Sequence, residues 1–519
     1  MIHLLSQAGK KIGIFGLNRT GIAAYAALTS TARQLICYDD NYDNCQKFQK
    51  IYPDSKIVDL AHHEWTQLDK ILLSPGIPLS HPLVKIAKTN KITITSDIDL
   101  LFEEYHNADF IAVTGTNGKS TTTALIAHIL QFAGIDYPAG GNLGNAALSL
   151  PSNKAGYVLE LSSFQLELIN SFSAKIAILL NITPDHLDRH LTMDNYINAK
   201  QKILLPIATD SLCYRIIGVD NIITKNIYAQ FKQRPKSLMK IIPISATEQQ
   251  PGGISVLENI IYDNIGDESV IIELPYLKSL QGAHNRENIA ASYAACRLAK
   301  VKPEQIVQAL SSFSGLPHRM QYIGSINNIR PLSKLASVSK FEGDGERKTG
   351  AYSDVREDLS TASTYKLVTK VEFRKRSIEV YNDSKATNAE AAIKSISTLD
   401  NIYWLAGGIA KSGGIEVIKP WFNRISKAYL FGQDKELFAK TLAGTTVNVR
   451  ICEDLEEAVD AAFRDAIDAC STLDNKKQMN ILLAPAASSY DQFLNFEQRG
   501  EMFIKFCTKK LSFHALLSN

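Results

Sequence analysis

The chain of 519 residues has no unbroken apolar run near the roughly 18 residues that a membrane-spanning helix needs. Its start, MIHLLSQAGKK, carries too short an apolar stretch for a secretory signal. Seven cysteines (Cys37, Cys45, Cys213, Cys296, Cys452, Cys470 and Cys507) are scattered, odd in number and without a C-x-x-C pair. That argues against a disulfide framework and suits reduced thiols in the cytoplasm. The net charge is only +3, so no broad basic field calls for nucleic acid. These absences lead to the expectation of a soluble, cytoplasmic protein that is not inserted in a membrane; a monomer is expected as well.

What is present is ordinary globular composition, 45% hydrophobic and 21% charged, with enough length for about three domains. Strand-like apolar runs alternate with helix-like periodic segments, which predicts an α/β chain of mostly parallel sheets. The reading is a Rossmann-like unit over residues 1–108, a central P-loop-type unit over 109–318, and a C-terminal Rossmann-like unit over 319–519. A polar, weakly periodic stretch at about 330–376 reads as an exposed insertion without a catalytic role. Its flanks, MQYIGSINNI and SIEVYND, would form a hairpin if joined directly.

The strongest local signal is GTNGKST, Gly115 to Thr121, between an apolar strand and a helix. Such a loop aims backbone N–H groups and the positive helix end at phosphate. Lys119 can reach β- and γ-phosphates, and Ser120 can ligate Mg²⁺. The generic P-loop pattern has a glycine where Val113 stands, so this is a variant loop. A second loop, GLNRTG (Gly16 to Gly21), resembles a dinucleotide fingerprint with Asn18 in place of the middle glycine. Asp39 stands about where a ribose-reading acid would lie. A nicotinamide enzyme and a bare packing turn both fit that loop.

Other candidates are ambiguous by residue type alone. Glu160 at the end of YVLELSS suits a hard cation, or is a solvated strand-end carboxylate. His186 and His190 in DHLDRH have zinc-compatible spacing but no third ligand, while Asp188 and Arg189 read as a surface pair. Lys200 and Lys202 read as solvated lysines. Asn285 and Asn288 in HNREN sit one turn apart and could meet a base edge, or Asn285 could cap the helix.

Taken in order, TGTNGKST, GGNLGNAAL, LELSSFQLE, LLNITPDHLDRH, GAHNRENIAA, FSGLPHRM, NDSKATN and PAASSYDQFLNFEQRG resemble the Mur ligase superfamily. The likeness covers essentially the whole chain apart from the insertion. NDSKATN and SYDQFLNFEQRG point to the branch that adds D-glutamate. The resemblance implies that Gly115, Thr116, Asn117, Gly118, Lys119, Ser120 and Thr121 bind ATP phosphates and Mg²⁺. Glu160, His186 and Ser120 would ligate metal. Lys200 matches a lysine carbamylated by CO₂, with Lys202 a minor rival, and would help hold a second Mg²⁺. Asn142 would contact the substrate near its reacting carboxylate. Asn285, Asn288, Arg319 and Asp383 match ATP positions. Lys385, Thr387, Lys411, Ser489 and Phe496 match positions around D-glutamate. Asn18, Arg19, Ser74 and Gly76 would hold the uridine-diphosphate end.

The implied activity is ATP-dependent joining of UDP-N-acetylmuramoyl-L-alanine to D-glutamate through an acyl phosphate, in cytoplasmic peptidoglycan precursor synthesis. Lys119, Asn142, His186 and Lys200 are the implied catalytic residues. Two departures bear on the glutamate site: GGIAK before Lys411 lacks the acidic residue common in relatives, and Tyr490 is bulkier than the usual neighbour of Ser489. The alternatives are another amide ligase of the superfamily, such as one like folylpolyglutamate synthase, or a non-catalytic nucleotide-binding relative.

Overall fold

The computed structural model describes residues 2–518 except 143, 206–211, 235–237, 267, 281, 328–365, 368–376, 412 and 472–477. The described chain forms two compact units. The first is built chiefly from Met1–Tyr276 and Gly282–Phe313, the second from Leu277–Gln281 and the chain after Ser314.

The first unit contains two sheets. The smaller has four parallel strands in the order Gln34–Tyr38, Lys11–Phe15, Lys70–Leu73 and Thr93–Thr95. These are short apolar runs each followed by a turn and a helix, the pattern that forces parallel pairing. In the larger sheet, Asp109–Thr114 lies centrally between Gly156–Glu160 and Ile176–Leu179, both parallel to it. Cys213–Gly218, Met239–Ser245 and Ile254–Leu257 continue the parallel order, and Ile260–Asp263 and Val270–Glu273 add an antiparallel edge. One buried apolar cluster joins the two sheets, running from Ile12, Leu17 and Leu28 through Leu148, Leu159 and Leu179. The loops at the carboxyl ends of both sheets are therefore carried on one packed body.

The second unit has a six-stranded sheet in the order Gln321–Asn327, Ser377–Asn382, Met479–Leu483, Ile402–Gly407, Ile425–Phe431 and Asn448–Ile451. The first pair is antiparallel, from Gln321↔Asn382 to Asn327↔Ser377 with an irregularity after Tyr322. The flanks of the polar stretch thus form the expected pairing. That stretch itself lies outside the described residues, apart from the two-residue strand Lys366–Leu367. The remaining strands are parallel, with the helices Ala389–Ile396, Leu455–Ser471 and Phe496–Ser518 among their crossovers and cover. Among the described residues no helix is long and apolar enough to cross a membrane.

Candidate active site

The strand Asp109–Thr114 feeds the loop Gly115–Gly118 and then the helix Lys119–Phe132. Gly118 precedes the helix at φ +82°, and a Cβ there would stand 2.2 Å from Asn288 Oδ1. Only glycine satisfies both demands. Asn288 in turn accepts from Thr122 Oγ1 at 3.1 Å and donates to Asn285 Oδ1 at 2.9 Å. The two asparagines therefore pack behind the phosphate loop, both largely buried. Asn285 does not cap its helix: Gly282 holds the cap position, and Asn285 lies within the first turn of Ala283–Leu298.

Lys119 Nζ folds back onto the carbonyls of Gly115 at 2.9 Å and Thr116 at 2.8 Å. Lys200 Nζ also donates to Gly115 O, at 2.8 Å. Lys200 is 1% exposed, not the solvated lysine its residue type suggests. It lies over the Tyr196 ring, 4.9 Å from the centroid. Burial, reinforced by the neighbouring Lys119 charge, pulls its amine down to about 7, against the pull of Asp185 and Glu160. Lys202 faces elsewhere and donates to Glu167 O.

Glu160 ends its strand as expected, but it is 1% exposed rather than solvated. Its Oε1 accepts from Asn142 Nδ2 at 2.7 Å, and its buried Oε2 has no hydrogen-bond partner among the described residues. A buried carboxylate oxygen without a donor fits a cation. No three His, Cys, Asp or Glu side chains among the described residues converge as a metal cluster. A cation beside Glu160 would therefore complete its shell from hydroxyls, substrate oxygens and water, which suits Mg²⁺.

His186 and His190 do not share a helical face. His186 stands before the short helix Leu187–His190 with φ +52°, and its half-exposed ring lies beside Asp185. His190 is buried, with one ring nitrogen 2.9 Å from Ser163 Oγ and the other 3.1 Å from Glu167 Oε1. Burial lowers its pKa despite the Glu167 carboxylate. Arg189 does not pair with Asp188: it donates to Gly76 O at 3.2 Å, Ile77 O at 2.9 Å and Glu167 Oε2 at 3.1 Å.

One cavity of about 730 Å³ collects several of these groups. Asn18, Arg19, Ser74 and Gly76 line it from the small sheet, and Lys119, Asn142, His186 and Lys200 from the large one. Arg19 spans the two sets, donating to Gly144 O at 2.9 Å and Asn142 O at 3.0 Å. Asp39 also lines the cavity, but its carboxylate is engaged by the backbone N–H groups of Leu17 at 2.7 Å and Asn41 at 2.8 Å. It serves as a cap for the glycine loop. Tyr196 is a lining residue that sequence reasoning missed, although its spacing four before Lys200 is a helical-face signal.

The second unit gathers the remaining candidates. Asp383 is buried, and accepts from Met320 N at 3.2 Å and from the Ser395 hydroxyl. Burial pushes its carboxyl up to about 6, tempered by those bonds and by Arg319. Arg319 itself is exposed. Lys385 Nζ lies 5.6 Å from the Phe496 ring centroid. Thr387 follows in the same turn, its N–H donating to Lys385 O. Lys411 and Ser489 flank opposite ends of the small antiparallel ladder Ile409–Ala410 with Ala487–Ser488.

Arg499 was missed by the sequence reading. Fully buried, it donates to Ser384 Oγ at 3.0 Å and to the carbonyls of Ser384 at 3.0 Å, Ala487 at 3.1 Å and Gly407 at 3.3 Å. It thus ties together the loops that carry Lys385, Ser489 and Lys411.

Residues 113–296 match the model of the Mur ligase middle domain. The chain is 49% identical over 500 residues to a UDP-N-acetylmuramoylalanine–D-glutamate ligase of Rickettsia felis, spanning 96% of this chain and 97% of the relative. The chain belongs to the UDP-N-acetylmuramoylalanine–D-glutamate ligase family, a branch of the Mur ligases. Likeness within that family extends to Rickettsia bellii, at 49% identity over 96% of this chain and 97% of the relative. It reaches Caulobacter at 36% over 97% of each chain. The residues matched by the middle-domain model include the phosphate loop, Glu160, His186, Lys200 and both asparagines of HNREN.

Proposed function

We propose that the chain joins D-glutamate to UDP-N-acetylmuramoyl-L-alanine at the cost of ATP, in peptidoglycan precursor synthesis. The carrying observation is the shared cavity: Lys119 at the end of the phosphate loop and Gly16, Asn18, Arg19 and Thr20 of the N-terminal glycine loop line the same space of about 730 Å³. A triphosphate and the acyl end of a UDP-linked substrate can therefore meet there. The name shared by the relatives supports the choice of both substrates.

The three parts of the chain divide the work on this reading. Residues 1–108 hold the UDP-sugar through Asn18, Arg19, Ser74 and Gly76. Residues 109–318 hold ATP, with Asn285 and Asn288 behind Gly118. Residues 319–519 hold D-glutamate through Lys385, Thr387, Lys411, Ser489 and Phe496, while Arg319 and Asp383 serve ATP.

A carboxylate is a poor acyl donor at neutral pH. Its oxygen attacks the γ-phosphorus, the bond to the β-phosphate oxygen breaks, and ADP leaves. The amine of D-glutamate then attacks the acyl carbon, loses a proton and expels phosphate, which keeps one carboxylate oxygen. Phosphoryl transfer of this kind depends on positioning and charge neutralisation. Lys119 supplies a cation beside the loop. Asn142, fixed by Glu160, presents its amide to the reacting carboxylate, and His186 faces the same space and orders the incoming amine. Mg²⁺, held by Ser120, Glu160, His186 and a carbamate on Lys200, would screen repulsion between carboxylate and triphosphate. Lys200 suits carbamylation because a buried amine lowered to about 7 is far more available than an ordinary lysine as the neutral nucleophile that CO₂ requires.

The test is phosphate release from ATP with the UDP-linked substrate and D-glutamate, L-glutamate or no amino acid. Release that requires D-glutamate, with product of the matching mass, is expected. Release with L-glutamate alone, or with neither, would overturn the assignment.

A further inference from the structure

The phosphate loop is gripped from behind by a relay to which none of the roles above is assigned. Asn181 follows the strand Ile176–Leu179 by two residues. Its Oδ1 accepts from the backbone N–H of Asn117 at 2.9 Å, and its Nδ2 donates to Glu287 Oε2 at 2.7 Å. Only one orientation of the amide serves both neighbours, because an N–H needs an acceptor and a carboxylate needs a donor. The same segment holds the preceding residue twice more. Thr116 N donates to Asn181 O at 2.8 Å, and Thr183 N donates to Thr116 Oγ1 at 3.0 Å.

Glu287 projects from the helix Ala283–Leu298, one residue before Asn288. A carboxyl is expensive in this place. Burial, with Asp220 adding repulsion, pushes it up to about 7 although the Asn181 bond pulls the other way. Room for it is made by Gly218, where a Cβ would stand 2.7 Å from Glu287 Oε1 and 2.1 Å from Leu180 O. An apolar side chain would fill this space without the desolvation cost; what the carboxyl adds here is its bond to Asn181.

We propose that Glu287 and Asn181 are positioning residues for ATP: Glu287 fixes the Asn181 amide, which in turn holds the Asn117 peptide of the phosphate loop. This rests on the ATP reading of that loop. Neither side chain touches substrate; both act through the loop backbone. The bond survives protonation of Glu287, since the neutral acid keeps an acceptor oxygen.

The experiment measures ATP affinity, and KM for ATP and for the UDP-linked substrate, in the full-length chain. Glu287→Leu is expected to raise the Kd and KM of ATP about tenfold, the scale of one charge-assisted hydrogen bond, and to leave KM for the UDP-linked substrate unchanged. Glu287→Gln keeps an acceptor and should stay within about twofold of wild type. Asn181→Asp sets two carboxylates against each other and should weaken ATP binding. Adding Glu287→Gln to it should restore binding, because the new amide donates to the new carboxylate, whose other oxygen takes the Asn117 N–H. This exchange decides the matter even if Glu287→Leu fails to fold. Unchanged ATP parameters in Glu287→Leu, or a double variant no better than Asn181→Asp, would overturn the positioning claim alone. Wild-type protein that binds no ATP would overturn the ATP reading and this proposal with it.

Discussion

Lys119 and Lys200 donate to the same oxygen, the carbonyl of Gly115, at 2.9 and 2.8 Å. Burial, and next the charge of the neighbouring Lys119, lowers the affinity of Lys200 for a proton. The shared contact brings the phosphate-loop lysine and the carbamate candidate to one carbonyl.

Replacement of Lys200 follows from that arrangement. Lys200→Ala should lose most activity, and a short free carboxylate such as formate or acetate should restore part of it by filling the space of the carbamate. The check is turnover with and without the additive. Undiminished turnover without any carboxylate would remove Lys200 from the mechanism. In wild type, protein freed of CO₂ should recover activity on addition of bicarbonate. Recovery should be faster above pH 7 than below it, because the amine titrates near 7 and only its neutral form reacts.

Lys119→Ala should abolish turnover, by roughly 10³-fold or more, while the fold is retained. Circular dichroism and thermal unfolding check the fold, and phosphate release checks the chemistry. Asn181 and Thr183 hold the loop independently of the lysine's own bonds to it, so the melting temperature should move only modestly.

Gly118→Ala combines a left-handed backbone with a collision at Asn288 Oδ1. It should cost about 1–3 kcal/mol of stability and raise KM for ATP, since relief requires moving the loop or the asparagine. Chemical denaturation and ATP titration measure the two effects.

Asp383 offers a pH dependence of stability. Burial pushes its folded carboxyl up to about 6, above the ordinary aspartate value of 3.8, so folding takes up a proton between those values. Its contribution to stability is present at low pH and is lost as pH rises through that window. Asp383→Asn should therefore stabilise the protein at pH 7, on the order of 1–3 kcal/mol, and flatten the pH profile of the melting temperature between about 4 and 6. The amide can still accept from Met320 N and donate to Ser395, so the fold should hold while ATP turnover falls.

How far the sequence reveals this molecule depends on the range of the interaction concerned. The phosphate loop is legible because its chemistry is local: strand, glycine turn and helix are contiguous, and the resulting helix start at Lys119 is where the pattern puts it. The antiparallel pair around the polar stretch is legible for a different reason: its two apolar flanks read as a hairpin once the polar stretch between them is set aside. Lys200 is not, because its character comes from Tyr196, Lys119 and Gly115, of which only Tyr196 is near in sequence. Glu160 looks like a solvated strand end until the cover over it is seen. Arg189 and Arg499 are illegible in another way. Their partners are mostly backbone carbonyls, and a carbonyl leaves no mark in the sequence. Motif resemblance picked out the loops around Arg499 without revealing what joins them.

The central claim, an acyl phosphate on the route to D-glutamate addition, is tested most directly by the fate of a carboxylate oxygen. UDP-N-acetylmuramoyl-L-alanine carrying heavy oxygen in its alanyl carboxylate would be turned over with ATP and D-glutamate, and the phosphate analysed by mass. One labelled oxygen in each phosphate released is the result expected, because the carboxylate oxygen that attacks the γ-phosphorus departs with it. Phosphate free of label, alongside formation of the amide, would contradict the account.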